Sequence, residues 1–387
     1  MTDDGRIRVL QVVASLNRGG IETWLAQTTQ HISHERFALD VLVLSEKEGA
    51  YEKEILAQGC RVFRSSGASR PWRIPADFAR VVREHGPYDI VHTHGYFFAG
   101  LVLYRAYNAG IRGRIAHSRN AHDVGKKAML AWAPWRWLMR YCVNRYATHI
   151  LAISEASAVY LLGPRLLKDP RYQILTTAID LAPFGMTQNR DAMRSSLSIP
   201  EHSTVIGHVG NFSWLKNYDL LVDIAQALCE RRDDVHFFLV GDGERRESIE
   251  KRVNALGISQ HFTFAGFRSD VPALLNGAMD IFLMPSRFEG LGRVVVEAQA
   301  AGRPCVISSA IPPLADVIPQ LINRVSLDEP VSAWVETLEQ VIEEPETVTQ
   351  KEALDIMQQS QFEIRQNVSS LENIYERAIA VQETTAE

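Results

Sequence analysis

Two glutamates eight positions apart, Glu289 and Glu297, sit in the run PSRFEGLGRVVVEAQAAG at residues 285–302. An apolar segment ends at Met284, a short turn follows, and a helical pattern opens near Gly292. Where a strand passes through a glycine-bearing turn into a helix, the first amides of that helix lack intrahelical partners and favour an anion such as a diphosphate. Gly290, Leu291, Gly292 and Arg293 occupy that position. The two carboxylates can accept hydrogen bonds from hydroxyls, the usual way to hold a ribose or a sugar ring. Alone, such a pair is mostly a solvated helix face. Set in strand, turn and helix, it reads as a ligand site.

A second phosphate-compatible turn lies near the start. Asn17–Thr23 (NRGGIET) follows the first apolar run and opens the first helical pattern. Gly19 and Gly20 allow close backbone approach to a phosphate, and Asn17 or Thr23 can cap the helix. The run is not G-x-G-x-x-G, so the dinucleotide fingerprint is absent. Histidines gather at strand ends in the same half: His92 and His94, then His117, then His122 beside Asp123. His92 and His94 could ligate a metal, but no third ligand stands at a diagnostic spacing, so no metal is expected.

These residues need a frame to position them. Apolar runs of four to seven residues alternate with helical patterns along most of the 387-residue chain, the signature of β-α units and parallel sheets. The first half places strands at Ile7–Val13, 39–44, Arg61–Arg64, Ile90–Thr93, 114–117, 150–153 and 173–175, with helices between them. The polar stretch 180–200, with Pro183 and Pro200, reads as an interdomain linker, after which the alternation resumes. The expected fold class is α/β: two doubly wound domains, at 1–182 and 183–365, and a C-terminal helix at 366–387 packing back on the first.

Composition fits a globular protein, with 46% hydrophobic and 22% charged residues. The net charge of −5 hides an asymmetry. Residues 1–180 hold 24 Lys+Arg against 16 Asp+Glu, a balance of +8, and the rest of the chain carries −13. The basic half suits an anionic partner, either a phosphorylated substrate or a membrane face. Within it, Lys126–Tyr146 interleaves Lys126, Lys127, Arg136, Arg140 and Arg145 with Trp132, Trp135, Trp137, Tyr141 and Tyr146, a mix suited to a headgroup layer and equally to an amphipathic core helix. Cys60, Cys142, Cys229 and Cys305 form no C-x-x-C pair and fit reduced cytosolic thiols. The N-terminus reads as a strand rather than a signal peptide, and no apolar stretch is long enough to span a bilayer. A cytoplasmic protein, touching the inner membrane face at most peripherally, is expected.

The Glu, seven residues, Glu pattern in FEGLGRVVVEAQAAG resembles the donor-site signature of retaining glycosyltransferases of family 4, which have the GT-B fold of two facing Rossmann-like domains with a C-terminal helical crossover. GHVGNFSWLKN, FFLVGDGERRESIEKRV, FTFAGFRSDVPALLNGAMDIFLMPS, DIVHTHGYFFAG and ILAISEASA are similar to family segments, and the likeness is greatest to the bacterial exopolysaccharide and cell-surface glycan subgroup. The resemblance implies that Glu297 binds the nucleotide ribose, Glu289 contacts the donor sugar, and the amides from Gly290 to Arg293 hold the diphosphate. It implies that Lys216 neutralises the leaving diphosphate, that Gly19 and Gly20 lie beside it, and that Asn211, Phe267 and Arg268 complete the donor site. His117 matches the histidine facing the donor sugar, while His94 and Arg119 line the acceptor pocket. The family usually has Arg where this chain has Asn211, which lacks the charge; Arg293 or Arg287 could supply it.

The resulting expectation is a retaining, metal-independent transferase. It would move a hexose or N-acetylhexosamine from a nucleotide diphosphate sugar, most often a UDP-sugar, to a glycan or polyprenyl-linked acceptor. The absence of Asp-x-Asp fits metal independence. No cofactor and no nucleic-acid partner are expected. The alternative is a weak or inactive homologue that binds a sugar or nucleotide. A nicotinamide-dependent oxidoreductase fails on its missing fingerprint, and an exported sugar-binding protein on its missing signal peptide.

Overall fold

A computed structural model describes residues 5–17, 19–66, 70–95, 98–119, 133–344 and 348–380. The chain forms two compact units, Met1–Ile179 with Ile364–Glu387, and Asp180–Glu363. The backbone N–H of Ile364 donates to the carbonyl of Ile179 at 3.1 Å, so the points where the chain leaves and re-enters the first unit are adjacent. The unit boundaries therefore fall a few residues before the expected 182/183 and 365/366.

The first unit holds a seven-stranded sheet in the order β3-β2-β1-β4-β5-β6-β7. Its strands are β1 (Ile7–Val13), β2 (Phe37–Val43), β3 (Arg61–Arg64), β4 (Ile90–Thr93), β5 (Gly113–Ser118), β6 (His149–Ala152) and β7 (Tyr172–Ile174). All pairings are parallel; β1 sets Ile7 opposite Phe37 of β2 and Val9 opposite Ile90 of β4. Successive residues of a strand face opposite ways, so the sheet supplies two cores. Val9, Val41 and Ile90 pack beneath the Gly20–His31 and Ile364–Ala380 helices, while Leu10, Leu42 and Val91 meet the Ile74–His85 and Ala99–Asn108 helices.

The terminal helix reads Ile364, Val368, Leu371, Tyr375, Ala378 along its buried stripe, the 3–4 spacing of a single helix face. All five pack in the core of the first unit.

The second unit has a six-stranded parallel sheet in the order β10-β9-β8-β11-β12-β13. These are β8 (Thr204–Val209), β9 (Val235–Val240), β10 (Phe262–Gly266), β11 (Ile281–Met284), β12 (Cys305–Ser308) and β13 (Ile322–Val325). Every residue of β9 is buried, as a central strand covered on both faces requires.

The structure corrects the expected linker. Residues 180–200 contain a short turn of 3-10 helix at Ala182–Gly185 and a helix at Arg190–Ser196, whose first turn is capped by Asn189 Oδ1 accepting from the Ala192 N–H at 3.0 Å. Arg194 of that helix is buried, donates to the Ala278 carbonyl, and pairs with Asp280 at 2.5 Å, tying the segment to the second unit. Two further elements lacked a clear pattern: Glu52–Ala57 is under two turns long, and β13 (INRV) is a half-exposed edge strand with polar residues. Pro134 lies within the helix described over Ala133–Tyr146. Residues 126–132 of that segment, and His122 and Asp123, lie outside the described residues.

Leu371 is fully buried between the terminal helix and the sheet. Leu371→Ala should destabilise the first unit by about 2–5 kcal/mol. Urea unfolding should show a lower midpoint for that unit's transition, with the second unit's transition unmoved.

Candidate functional site

In the second unit two of the expected donor residues, Lys216 and Glu289, meet at the C-terminal ends of β8 and β11. Lys216 ends a single 3-10 turn, Trp214–Lys216, that follows β8. Its Nζ donates to Glu289 Oε1 at 2.8 Å, with the two side chains only 18% and 14% exposed. The lysine stem passes over Gly210, where a Cβ would come within 3.1 Å of Lys216 Cε. Gly292 has φ +85°, the left-handed region that favours glycine, and a Cβ there would lie 3.0 Å from Ile311 Cγ2. The turn can thus close tightly onto Arg293–Ala300, the helix that carries Glu297.

Arg293 Nε donates to Glu297 Oε1 at 2.9 Å, so this arginine and the ribose candidate are engaged with each other. Arg287 lies over the Trp214 ring at 4.8 Å. Arg268 makes a two-pronged pair with Asp270 at 2.8 and 2.6 Å, and Phe267 beside it is 53% exposed. Asn211 is exposed, with its Oδ1 against Gly243 in the loop after β9. Leu291 is buried and Gly290 is partly exposed.

Three residues at this mouth carried no sequence signal. His208 Nε2, Asn217 Oδ1 and Ser286 Oγ are buried and have no hydrogen-bond partner among the described residues. His208 accepts or donates at Nδ1 to one group only, and since the Leu283 carbonyl 2.8 Å away can only accept, Nδ1 carries the proton. Burial, helped by the Lys216 charge, pushes His208 down to about 3, so its Nε2 is a bare acceptor at neutral pH. Asn217 takes a left-handed backbone (φ +57°), and its amide nitrogen donates to the Pro285 carbonyl at 3.1 Å. Buried polar atoms without partners are costly, and their clustering beside Lys216 and Glu289 marks a place built to receive a polar ligand.

In the first unit, Gly19 caps the Gly20–His31 helix in extended backbone, and a Cβ on Gly20 would meet nothing within 4 Å. The protein's own packing therefore does not demand glycine at position 20. Beneath this turn lies a closely knit buried group. His92, His94 and His117 each bring one ring nitrogen within 4.8 Å of the others, so the third imidazole that spacing did not reveal is supplied by β5. All six ring nitrogens already have partners. His117 Nε2 meets the Leu175 carbonyl at 3.1 Å and its Nδ1 meets His92 Nε2 at 3.1 Å. His92 Nδ1 meets the Tyr375 hydroxyl at 2.8 Å, and His94 Nε2 meets Gln11 Oε1 at 2.9 Å. Arg119 Nε donates to His94 Nδ1 at 3.3 Å, and its guanidinium lies 3.9 Å over the Trp24 ring.

Burial drives all three histidines well below their ordinary range, and the Arg119 charge acts in the same direction. His117 is 3% exposed with both nitrogens engaged, so the direct sugar contact expected of it requires Nε2 to leave the Leu175 carbonyl. His94 and Arg119 are brought together as one unit. Glu22, which sequence reasoning passed over, accepts from Ser15 at 3.0 Å, and burial raises its carboxyl above the usual range against the opposing pull of Arg119. Gln11 and Tyr375 were missed because each sits within an apolar pattern that reads as core.

Two Rossmann-like parallel sheets, each with a phosphate-compatible turn at the C-terminal ends of its strands, define the GT-B class of glycosyltransferase. Residues 18–182 match the family model described as Glycosyltransferase Family 4, and residues 189–356 match that of Glycosyl transferases group 1. The chain is 32% identical to EpsF of Bacillus subtilis (strain 168), assigned as a glycosyltransferase, over 95% of this chain and 96% of that one. It is 21% identical to the capsular polysaccharide biosynthesis glycosyltransferase CapH of Staphylococcus aureus, over 95% and 98% of the two chains. Anabaena HepE, solved in complex with UDP and glucose, shares the fold with a TM-score of 0.78 at 19% identity, over 96% of this chain and all of that one. The chain belongs to glycosyltransferase family 4 and is a glycosyltransferase.

The buried neutral histidines make stability pH-dependent. In the unfolded chain each titrates near 6.5, whereas in the folded protein each stays neutral to lower pH, so below about 6.5 the unfolded state binds more protons. Stability should be constant above that pH and fall as pH drops through it, by up to about 1.4 kcal/mol per pH unit for each such histidine. Unfolding midpoints measured from pH 8 to 5 check the direction.

Proposed function

We propose that the protein transfers a hexose or N-acetylhexosamine, with retention of anomeric configuration, from a UDP-sugar to a glycan or polyprenyl-linked acceptor in bacterial polysaccharide synthesis. The observation that carries the donor reading is the Lys216–Glu289 pair at 2.8 Å beside the Gly292-capped helix. In this reading Lys216 and the helix amides meet the diphosphate, Glu297 holds the ribose and Glu289 the sugar. The names of EpsF and CapH and the UDP complex of HepE support the same class of donor and product.

The diphosphate departs first and leaves an oxocarbenium-like sugar. Lys216 and the oriented amides offset the charge that develops on the leaving oxygens, the term that dominates catalysis of this kind. The acceptor hydroxyl then enters on the same face and gives its proton to the departing phosphate. No metal takes part in this scheme. In support, all six nitrogens of the histidine cluster are committed to hydrogen bonds, and the positive charge at the donor site comes from a side chain and amides.

A donor panel assayed for nucleotide diphosphate release tests the proposal. Lys216→Ala and Glu289→Ala should each lower turnover about 100-fold or more, the scale of losing one electrostatic stabiliser, with the far-ultraviolet spectrum unchanged. Binding of UDP without any release would favour the non-catalytic reading that Asn211 invites. Unchanged turnover in both variants would overturn the site assignment.

The basic helix supports a membrane-facing role. On Ala133–Tyr146, Trp137 and Tyr141 are 68% and 52% exposed and stack at 5.8 Å. Exposed aromatic rings among basic residues suit an anionic headgroup layer, where a lipid-linked acceptor would be met. No described helix is long and apolar enough to cross a membrane. Sedimentation with vesicles containing anionic lipid should capture the protein, and Trp137→Ser with Tyr141→Ser should release it. Equal capture by neutral vesicles would argue against the headgroup reading.

A further inference from the structure

The edge of the first sheet where the strands begin, opposite to the edge that carries His94 and Arg119, holds a cavity of about 460 Å3. Its charged walls are Arg6, just before β1, Arg8 on β1, Asp40 on β2 and Arg61 on β3. Three guanidiniums thus share the lining with one carboxylate. Register explains why they meet: β2 lies between β1 and β3, with Ala38 opposite Arg8 and Asp40 opposite Arg61. Alternation turns Arg8 away from Val9 and Asp40 away from Val41, so both lie on the face that the Ile74–His85 helix covers. None of these residues belongs to the donor or acceptor groups assigned above.

Asp40 is saturated with donors. It accepts from Arg61 Nε at 3.0 Å, Arg61 Nη2 at 2.6 Å, the Tyr88 hydroxyl at 2.8 Å and, at 3.5 Å, Arg8 Nη2. The arginines are not saturated with acceptors. Arg8 Nη2 also donates to the His85 carbonyl at 2.6 Å, but Arg8 Nε and Nη1 and Arg61 Nη1 have no hydrogen-bond partner among the described residues. The Arg8 side chain is only 13% exposed, so its spare donors meet the cavity more than bulk water. Asp89 accepts from the Arg8 backbone N–H at 3.0 Å, yet it is paired with Arg112 at 3.1 Å and does not line the cavity. Both forks are also held in place: the Arg8 guanidinium lies 4.8 Å over the Tyr88 ring and that of Arg61 5.5 Å over the Phe63 ring. A guanidinium placed in advance loses little freedom when it binds.

From this arrangement we propose that the cavity binds the phosphate dianion of a small phosphate monoester. Charge selects the dianion. Three arginines against one aspartate leave two positive charges among the lining residues, which a phosphate monoester matches and a single carboxylate does not. Geometry agrees, because the oxygens of one phosphate can each accept from a different fork. Volume selects the ester: pockets for small ligands run from about 300 to 1,000 Å3, and a bare phosphate would leave most of this one empty. Gln58 lines the remainder and can bond hydroxyls of the attached group.

Titration calorimetry of the full chain with glucose 6-phosphate, inorganic phosphate and glucose tests the site. Glucose 6-phosphate should bind one to one, inorganic phosphate more weakly, and glucose not at all. Arg8→Gln and Arg61→Gln should each raise the Kd for glucose 6-phosphate about tenfold or more, the scale of one hydrogen bond to a charged group. Circular dichroism shows whether Arg8→Gln folds, and Arg61→Gln, at a side chain 48% exposed, decides the matter without it. Lys216→Ala should bind as the wild type does. In urea unfolding the ester should raise the midpoint of the first unit's transition alone, since a ligand of the folded unit stabilises that unit. Absence of binding by both phosphates at millimolar concentration would overturn the proposal, as would wild-type affinity in Arg61→Gln. Loss of binding in Lys216→Ala would overturn it by placing the phosphate at the donor site, and inorganic phosphate binding as tightly as the ester would overturn the assignment to an ester.

Discussion

Every strand in both sheets runs parallel to its neighbours, and this single constraint governs where chemistry can occur. Parallel strands place all their C-terminal ends on one edge, where the loops lead into helix N-termini. In the second unit that edge holds Lys216 after β8 and Glu289 after β11, which pair although 73 positions separate them in the chain. In the first it holds His94 after β4 and Arg119 after β5, joined across 25 positions. The strands interior to each edge are buried on both faces, which fixes their register because a one-residue slip would exchange the two cores.

Charge distribution in the second half of the chain opposes an anionic ligand, so the proposed donor reading needs local groups to offset it. The chain beyond residue 180 carries −13, an unfavourable field for a diphosphate. Most arginines near the site spend their charge inside the fold: Arg268 on Asp270, Arg245 on Asp219 and Arg293 on Glu297. Lys216 is held by Glu289 with both side chains shielded from water, where a charge acts more strongly than at the surface. In the proposed reaction, with Asn211 in place of a cation, the weight of neutralising a leaving group would fall on this lysine and on backbone amides.

The alternation of apolar runs made both sheets legible, since a strand such as Ile281–Met284 is a continuous apolar segment bounded by polar residues. The apolar run, the glycine-bearing turn and the helical pattern after it made the strand, turn and helix of residues 281–300 legible. What could not be read was anything that depends on long-range pairing. Gln11 lies in IRVLQVV and Tyr375 in a stripe of leucine and isoleucine, so both look like ordinary core; only the docking of the terminal helix, 364 positions from Gln11, brings them within 2.7 Å. His92, His94 and His117 showed no third-ligand spacing because 25 positions and a crossover helix separate His92 from His117, and only the pairing of β4 with β5 brings them together. The helix at Arg190–Ser196 was hidden for a similar reason: its stability comes from Arg194 and Asp280, which local polarity does not predict.

The two edges differ in how they are prepared for a ligand. In the first unit the histidine chain is complete, and every ring nitrogen of the three is satisfied within the fold, so His94 and Arg119 are already oriented. Such a network adds rigidity at the cost of adaptability, because changing one bond leaves a buried group unpaired. In the second unit His208 Nε2, Asn217 Oδ1 and Ser286 Oγ have no partner among the described residues, and a shielded pair, Lys216 with Glu289, joins opposite charges. A nucleotide sugar entering there would offer hydroxyls to the acceptors and phosphate oxygens to the lysine, exchanging an internal ion pair for ligand contacts. Lys216 and Glu289 would then change partners together, which couples recognition of the diphosphate to recognition of the sugar. A ligand that carried only one of the two groups would leave the other member of the pair shielded from water and unpaired, a penalty that discriminates against it.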